Sequence, residues 1–218
     1  MLLGPPGAGK GSQAEVLSQR LNIPHVSTGD ILRQNVKDDT SIGRRAREYM
    51  QKGELVPDEI VIKMVEEFIG SQFLKNGFIL DGFPRTLEQA ERLDRLLTKL
   101  NKKLDLVMDF KTTNPVIIER LSGRRICENC AANYHIKNIP PKVEGICDKC
   151  GGKLYQRSDD KPETVLRRIN LYYKDAAPLI EYYREKGILE SVCGDLGIEA
   201  LYKVIIDTFL KNLLYDPN

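Results

Sequence analysis

Apolar residues follow two alternating spacings along most of the chain. Short continuous apolar runs at residues 78–80 and 104–110 are typical of strands that are buried on both faces. At residues 61–68 and 90–100, apolar positions instead recur every three or four residues, as on the buried side of a helix. Because strands and helices alternate, we predict an α/β fold in which a parallel sheet carries helices on both faces.

Both ends of the chain continue this alternation. Residues 4–12 are rich in glycine and small residues and lead into a helix. Near the other end, helical spacing at residues 165–176 is followed by a predicted strand at residues 188–192 and a final helix from Ile198. Pro178 is expected to break or kink the helix that precedes this strand.

Two stretches interrupt the alternation. Residues 27–56 are polar and rich in arginine, with Asp30 as a candidate helix cap and Gly53 as a candidate helix stop. Residues 123–160 are rich in cysteine, glycine and proline and show no apolar stripe. We therefore predict one core domain with a small domain inserted at each interruption. The predicted core domain consists of residues 1–26, 57–122 and 161–218.

The composition narrows the classes of function. A hydrophobic share of 41% and a charged share of 29% are ordinary for a globular protein, and a formal net charge of +2 gives no bulk attraction to nucleic acid or membrane. The N-terminal segment has neither the basic nor the apolar part of a signal peptide, and no apolar stretch is long enough to span a bilayer. We therefore expect a cytoplasmic protein without nucleic-acid or membrane partners.

The glycine-rich residues 4–12 carry the strongest catalytic signal. Glycines let successive backbone N–H groups turn toward one anion, the following helix directs its positive dipole end to the same point, and Lys10 adds a charge. The common phosphate-loop pattern has serine or threonine directly after the lysine, whereas here Gly11 separates Lys10 from Ser12. The pattern predicts a polyphosphate site. The alternative, a flexible turn, is disfavoured by the apolar residues before it and the helix after it.

Four of the five cysteines form two Cys-x-x-Cys pairs with sixteen residues between the pairs. The pairs are Cys127 with Cys130 and Cys147 with Cys150. This spacing predicts a four-cysteine zinc site, in which the metal has no open position and is structural. Such a metal would replace the core that residues 123–160 lack. Two disulfides and an iron site are the alternatives, and a reducing compartment disfavours the disulfides.

The remaining cysteine and the two histidines show no ligand-like spacing. Cys193 lies far along the chain from both pairs and is predicted to be a buried apolar residue. His135 is predicted to lie on the surface of the second insertion, and His25 has no partner of a metal-binding spacing.

Two further motifs complete a family pattern. Residues 28–33 read Thr-Gly-Asp-Ile-Leu-Arg and residues 80–85 read Leu-Asp-Gly-Phe-Pro-Arg. Together with the phosphate loop, in this order and spacing, they resemble the adenylate kinases, in the long form whose lid binds zinc, and the resemblance covers essentially the whole chain. It implies a P-loop core in which residues 27–56 bind the acceptor monophosphate. It also implies that residues 123–160, called the lid below, close over ATP.

The resemblance implies a monomer that reversibly transfers the terminal phosphoryl group of MgATP to AMP. Asp81 follows a buried strand, where P-loop enzymes place the acid that orients the water ligands of magnesium. The implied catalytic residues are Lys10, Asp81, Arg85, Arg124, Arg157 and Arg168. The implied ATP-binding residues are Gly7, Ala8, Gly9, Lys10, Gly11, Ser12, Arg120, Arg124, Asn133, Tyr134 and Leu196. The implied AMP-binding residues are Thr28, Arg33, Glu54, Leu55, Val56, Gly82, Phe83, Pro84, Arg85, Gln89, Arg157 and Arg168.

Two features of the lid and the chemistry follow from the same resemblance. Asp159 and Asp160 match residues near the hinge of the lid. No catalytic base is expected, because the phosphate of AMP is already an anionic nucleophile at neutral pH.

Two other interpretations remain at this point. Another nucleoside monophosphate kinase, acting on UMP, CMP or GMP, would differ only in its contacts to the base. A zinc-ribbon protein that binds nucleic acid would require a basic stripe with interleaved aromatic residues. The balanced charge of the chain disfavours the second of these interpretations.

Overall fold

The computed structural model describes residues 1–70 and 77–214 and confirms the α/β fold. The strands are β1 (Leu2–Leu3), β2 (His25–Ser27), β3 (Ile79–Asp81), β4 (Val107–Lys111), β5 (Arg124–Cys127), β6 (Asn133–His135), β7 (Leu154–Tyr155) and β8 (Leu189–Cys193). The helices are α1 (Lys10–Leu21), α2 (Thr28–Lys37), α3 (Ser41–Lys52), α4 (Asp58–Gly70), α5 (Leu87–Lys99), α6 (Asn114–Gly123), α7 (Pro162–Glu185) and α8 (Ile198–Leu214). A short 3-10 helix spans Ser158–Asp160.

The central sheet has five parallel strands in the order β2-β3-β1-β4-β8. The two-residue strand β1 lies in the middle, where Leu2 pairs with Asp81 on one side and with Met108 on the other. Successive residues of these strands face opposite sides, so Ile79 joins one apolar cluster and Leu80 the other. Burial on both faces explains why the strands read as continuous apolar runs in the sequence.

Helices cover the two faces of the sheet. On one side, α4, α5 and α7 contribute Val65, Leu93 and Tyr183, which are at most 1% exposed. On the other side, α1 and α8 contribute Ala14 and Ile205. Burying a large apolar side chain stabilises the fold by roughly 1.5–3 kcal/mol. The packed core therefore fixes the position of the sheet edge at which β1 and β3 end. None of the helices within the described residues is both long and apolar enough to cross a membrane.

Residues 27–56 form a pair of helices, α2 and α3. Ser27 caps α2 by accepting a hydrogen bond from the backbone N–H of Asp30 at 3.3 Å. The prediction that Asp30 caps this helix is therefore wrong: its carboxylate lies in the first helical turn and is left free for other partners. The predicted stop is confirmed, because Gly53 ends α3 in the left-handed conformation at φ 70°.

Helix α7 continues through Pro178, so the predicted break does not occur, and the alternative of a kink stays a prediction. A proline inside a helix costs about 3 kcal/mol, because it removes a backbone hydrogen bond and crowds the preceding turn. Ala176, Leu179 and Tyr183 are all buried on the same helix, before and after the proline. We attribute the continuity of the helix to this packing, which outweighs the local cost.

The lid contains an antiparallel sheet in the order β6-β5-β7. Its small apolar cluster consists of Cys127, Ala132, Tyr134 and Cys147, with Leu154 packed against it. So small a core fits the prediction that a metal site supplements it. The division of the chain into a core domain, a first insertion and a lid stays a prediction.

Candidate active site

The glycine-rich loop joins β1 to α1 and leaves backbone N–H groups open to an anion. The first turn of a helix has N–H groups without helical acceptors, and Gly9, which caps α1, has no side chain to accept them. Gly7 has a φ of 79°, and a Cβ on it would lie 2.9 Å from Cγ of Leu121. Only glycine tolerates both the positive φ and the lack of space for a Cβ atom. Lys10 crosses the loop and donates hydrogen bonds to the carbonyl oxygens of Gly4 and Pro5 at 2.7 and 2.8 Å.

Lys10 and Asp81 lie together at the end of the central strands. Burial lowers the pKa of Lys10 to about 8, against the opposing effect of Asp81. Burial alone would raise the pKa of Asp81, but His25 and Lys10 outweigh it and hold the pKa below its ordinary value. The Nε2 atom of His25 is 3.6 Å from Oδ2 of Asp81. The site therefore keeps an ionised carboxylate beside the phosphate loop.

Besides Arg120, which is described below, five arginines converge on the same cleft from separate parts of the chain. They are Arg33 from α2, Arg85 after β3, Arg124 from β5, Arg157 before the 3-10 helix, and Arg168 from α7. Although Arg85 is exposed within the cleft, partial loss of hydration among the surrounding protein and then repulsion from neighbouring guanidinium groups lower its pKa to about 10. Burial and the same kind of repulsion lower the pKa of Arg157 to about 9. So many mutually repelling cations favour a polyanion as the occupant of the cleft.

Three aspartates orient part of this cluster. Asp160 is 1% exposed and accepts hydrogen bonds from Arg124 and, at 3.4 Å, from Arg168. Asp159 accepts from Arg168 through its backbone oxygen at 3.0 Å. Asp30 accepts from Arg33 and, at 3.3 Å, from Arg157 of the lid. Burial alone would raise the pKa of Asp30, but Arg33 and Arg157 hold it at about 2.

The side chain of Arg85 makes a single hydrogen bond to the protein within the described residues. Its Nε atom donates to the carbonyl oxygen of Gly82 at 2.8 Å, and its two terminal nitrogens have no acceptor among residues 1–70 and 77–214. Gly82 has a φ of 78°, and a Cβ there would lie 3.1 Å from Oγ1 of Thr28 and 3.2 Å from Nη2 of Arg85. The glycine therefore gives the guanidinium room, with two donors free to grip an oxyanion.

The residues predicted for AMP gather on one side of the cleft. The hydroxyl of Thr28 donates to the carbonyl oxygen of Gly82 at 2.9 Å, which ties α2 to the end of β3. Gln89, on α5, is 2% exposed and accepts a hydrogen bond from the backbone N–H of Arg85 at 2.8 Å. The chain segment 54–56, between α3 and α4, also lines this side.

The residues predicted for ATP lie on the other side. Arg120 donates to the carbonyl oxygens of Gly194 and Leu196 at 2.6 and 2.9 Å, so it fastens α6 to the loop before α8. The hydroxyl of Tyr134 faces away from this side and lies 3.4 Å from Sγ of Cys147. Asn133 lies at the edge of the lid over Ser12, 3.5 Å from its hydroxyl.

These residues enclose one continuous cleft of about 1010 Å³, a volume large enough for two nucleotides. The cleft wall contains every residue predicted for ATP or AMP except Ala8 and Phe83. The side chains of Ala8 and Phe83 are at most 1% exposed and pack into the core. Any contact of these two residues with a nucleotide is therefore through the backbone.

The lid lies closed over the cleft. Besides the ion pair between Arg157 and Asp30, Nζ of Lys37 on α2 donates to the carbonyl oxygen of Glu128 in the lid at 3.1 Å. Lys149 of the lid pairs with Glu15 of α1 at 2.8 Å. Most of these contacts join exposed side chains, each worth no more than about 1 kcal/mol. The contacts across the cleft are therefore individually weak.

The four predicted metal ligands are brought together in the lid. Their Sγ atoms all lie within 4.8 Å of one another. The shortest separations are 3.4 Å, between Cys127 and Cys150, and 3.5 Å, between Cys130 and Cys147. A disulfide bond would bring two sulfur atoms to about 2.05 Å, and all five cysteines are free thiols here. A tetrahedron of sulfur atoms about 2.3 Å from zinc has edges of about 3.8 Å, so the cluster fits that ion.

Two predictions about single residues near these sites are wrong. His135 is only 6% exposed, because it packs beneath Gly123, and its Nδ1 accepts hydrogen bonds from the backbone N–H groups of Lys137 and Asn138 at 3.1 Å. Cys193 is exposed at the end of β8, where the following loop leaves its side chain uncovered.

Sequence reasoning missed the roles of two residues at the cleft: His25, which lines it, and Asp58, which lies behind its wall. His25 contacts Asp81 because β2 runs beside β3 in register, with Ser27 opposite Asp81. Asp58 binds Gln89 from the start of α4. The only sequence signals were their positions: His25 lies three residues before the motif that begins at Thr28, and Asp58 directly follows Pro57.

Comparison with known proteins finds the same family pattern. The adenylate kinase family model matches residues 2–188. The adenylate kinase of Caldicellulosiruptor bescii is 54% identical over 206 residues, which cover 94% of this chain and 96% of the relative. The adenylate kinase of Acetivibrio thermocellus is 53% identical over 207 residues, covering 95% of each chain. That of Archaeoglobus fulgidus is 53% identical over 205 residues, covering 94% of each.

Proposed function

We propose that this chain, which belongs to the adenylate kinase family, is a phosphotransferase that converts MgATP and AMP into two molecules of ADP. The observation that carries the proposal is the cluster of five arginines and Lys10 between two sides of one cleft. One side is the phosphate loop and the other is the segment 27–56 with the end of β3. This arrangement suits two nucleotides that meet through their phosphates.

The arginine cluster would act mainly by neutralising charge. Transfer between two polyanions requires the donor and acceptor phosphates to lie in line, and their mutual repulsion opposes this. Lys10 and the loop N–H groups would hold the donor phosphates, while Arg33 and Arg85 would hold the phosphate of AMP. Arg124, Arg157 and Arg168 would close on the transferring group, where negative charge is spread over three oxygens in the transition state.

The lid would exclude water during the transfer. Water is a competing acceptor, and it also weakens the electrostatic interactions in the cleft. Since Arg157 and Arg124 lie at the lid and its hinge, closure would bring positive charge to the transferring phosphoryl group and exclude water from it in the same movement. Residues 27–56 would close from the opposite side, as the contacts of Asp30 and Lys37 with the lid suggest.

Magnesium and zinc would have separate roles. Mg²⁺ bound with ATP would supply charge neutralisation between the phosphates, and the carboxylate of Asp81 beside Lys10 is placed to hold its water ligands. Zn²⁺ would be held by the four thiolates of the lid with no open position, so it would be structural.

Steady-state assays with MgATP and different acceptors test the proposal. AMP should give the highest kcat/KM, above CMP, UMP and GMP, because one amide side chain, Gln89, lines the acceptor side of the cleft. Equal or faster turnover with any of the other three would show that the acceptor is wrongly assigned. Failure to transfer phosphate to any of the four would contradict the reaction itself.

A further inference from the structure

The side-chain amide of Gln89 is held in one orientation by Asp58, which lies outside the cleft wall, and by the backbone of Arg85. Its Nε2 donates a hydrogen bond to Oδ1 of Asp58 at 2.6 Å, and its Oε1 accepts one from the backbone N–H of Arg85 at 2.8 Å. Asp58 is itself fixed, because the hydroxyl of Thr86 donates to Oδ2 at 2.7 Å. Gln89 lines the cleft, whereas Asp58 and Thr86 do not.

The chemistry of the two partners permits only one orientation of this amide. An ionised carboxylate accepts hydrogen bonds and cannot donate, and a backbone N–H donates and cannot accept. Turning the amide of Gln89 by 180° would place Oε1 against Oδ1 of Asp58 and Nε2 against the N–H of Arg85. Both hydrogen bonds would be lost, and like partners would face each other in a site where Gln89 is only 2% exposed.

The fixed amide leaves one donor and one acceptor for a ligand. An amide offers two N–H groups and two oxygen lone pairs, and the protein uses one of each. Adenine presents an acceptor at N1 and a donor at its 6-amino group. A 6-oxopurine presents the reverse, a donor at N1 and an acceptor at O6. The free N–H and lone pair of Gln89 can pair with both adenine groups, whereas a 6-oxopurine would set donor against donor and acceptor against acceptor.

We propose that Asp58 is a specificity-determining positioning residue, which fixes the amide of Gln89 so that the acceptor site takes a 6-aminopurine monophosphate and rejects a 6-oxopurine one. The inference rests on the proposed function, since it assumes that AMP is the acceptor. Asp58 acts through Gln89 and contacts no substrate. Its place in the first turn of α4, where the helix dipole favours negative charge, suits a side chain that serves as a hydrogen-bond acceptor.

Comparing AMP with IMP as acceptors tests this role, because the two differ only at N1 and C6 of the base. The side chain that D58N introduces presents either an oxygen or an amino group, so this variant should let the amide of Gln89 adopt both orientations. We expect the ratio of kcat/KM for AMP to that for IMP to fall by about 10-fold or more, with part of the change being a gain for IMP. D58E, which remains an acceptor only, should keep a ratio near that of the wild type.

Glu59→Gln is the matched control, because Glu59 is the exposed neighbour on α4 and the substitution removes the same charge. Its AMP to IMP ratio should equal that of the wild type. If D58N lowers kcat/KM for AMP and IMP by the same factor, Asp58 has only a structural role and the inference is overturned. If the wild-type protein does not use AMP at all, the proposed function fails instead, so the two failures are distinguishable.

A second measurement needs no variant and therefore does not depend on D58N folding. Purine riboside 5′-monophosphate keeps the N1 acceptor of adenine and lacks any group at C6. With the wild-type protein it should be a better acceptor than IMP by about 10-fold in kcat/KM, since the fixed N–H of Gln89 pairs with its N1 and opposes the N1–H of IMP. Equal kcat/KM values for these two acceptors would show that the amide is free to turn and would refute the proposal.

Discussion

Replacing Arg85 with lysine separates positive charge from the shape of the guanidinium group. The Nε atom of Arg85 is held by the carbonyl oxygen of Gly82 at 2.8 Å, which leaves two terminal nitrogens directed by a rigid plane and without protein acceptors in the described parts of the chain. A lysine keeps the charge but offers one nitrogen on a flexible stem. Its three donors all lie on one nitrogen, so it cannot bind the carbonyl oxygen of Gly82 and also hold two phosphate oxygens in the fixed plane of a guanidinium.

The expected loss follows from these contacts. A hydrogen bond between charged groups contributes roughly 1.5–3 kcal/mol, and the lysine loses one such bond together with the fixed direction of the other. A total of about 3 kcal/mol in the transition state corresponds to roughly a 10²-fold decrease in kcat. The melting temperature should change little, because Arg85 is exposed within the cleft and its contact with the fold is a single hydrogen bond.

Arg92→Lys is the matched control. Arg92 lies on α5, is exposed, and lines no part of the cleft. A coupled assay of ADP formation should give kcat and KM for AMP near wild type for this variant and a large loss of kcat for Arg85→Lys. Retention of wild-type kcat and KM by both variants would show that Arg85 is only a surface charge. The assignment of Arg85 to the phosphate of the acceptor would then be wrong.

Three further predictions concern the metal, the lysine of the phosphate loop and the lid. Purified protein should contain one zinc ion per chain, and Cys127→Ser or chelation should lower the melting temperature, whereas exposed Cys193→Ser should not; absence of metal in protein purified under reducing conditions would contradict the zinc site. Because Lys10 in the free protein has a pKa of about 8 and a bound polyphosphate favours its charged form, MgATP binding should weaken as the pH rises above that value and should take up about one proton near pH 9. Calorimetry in buffers of different ionisation enthalpy measures this uptake, and equal uptake by Lys10→Arg would assign it to another group. An inhibitor that joins two adenosines through five phosphates should reduce the radius of gyration measured by X-ray scattering, and no change at saturation would indicate a rigid lid.

The sheet and the phosphate loop were predictable because local sequence determines them. The runs that form β3 and β4 are continuous and apolar because both faces of the sheet are covered, and short runs of this kind between helical segments are typical of such strands. The glycines and Lys10 are likewise adjacent in the chain, so their shared function is visible without a structure. The same holds for the four cysteines, whose spacing alone predicted their proximity.

The wrong predictions concern residues whose surroundings come from distant parts of the chain. Both Ser27 and Asp30 are residue types that cap helices well. Because β2 ends at Ser27, α2 begins about one turn earlier than the sequence predicted. The fate of Pro178 depended on core packing around α7, and that of His135 on contact with Gly123. The orientation of Gln89 depends on Asp58, which belongs to another helix. No local pattern carries this information.

The central position of β1 has a consequence for how the chain folds as it is made. Leu2 precedes both of its partners in the chain, so Asp81 on β3 and Met108 on β4 are synthesised much later than it is. The middle of the sheet therefore cannot assemble until β4 has emerged, and the apolar residues of the early chain remain exposed during that time. Within the described residues the pairing partners of the lid strands all lie between residues 124 and 155, so this segment can fold while the rest of the chain is still being translated.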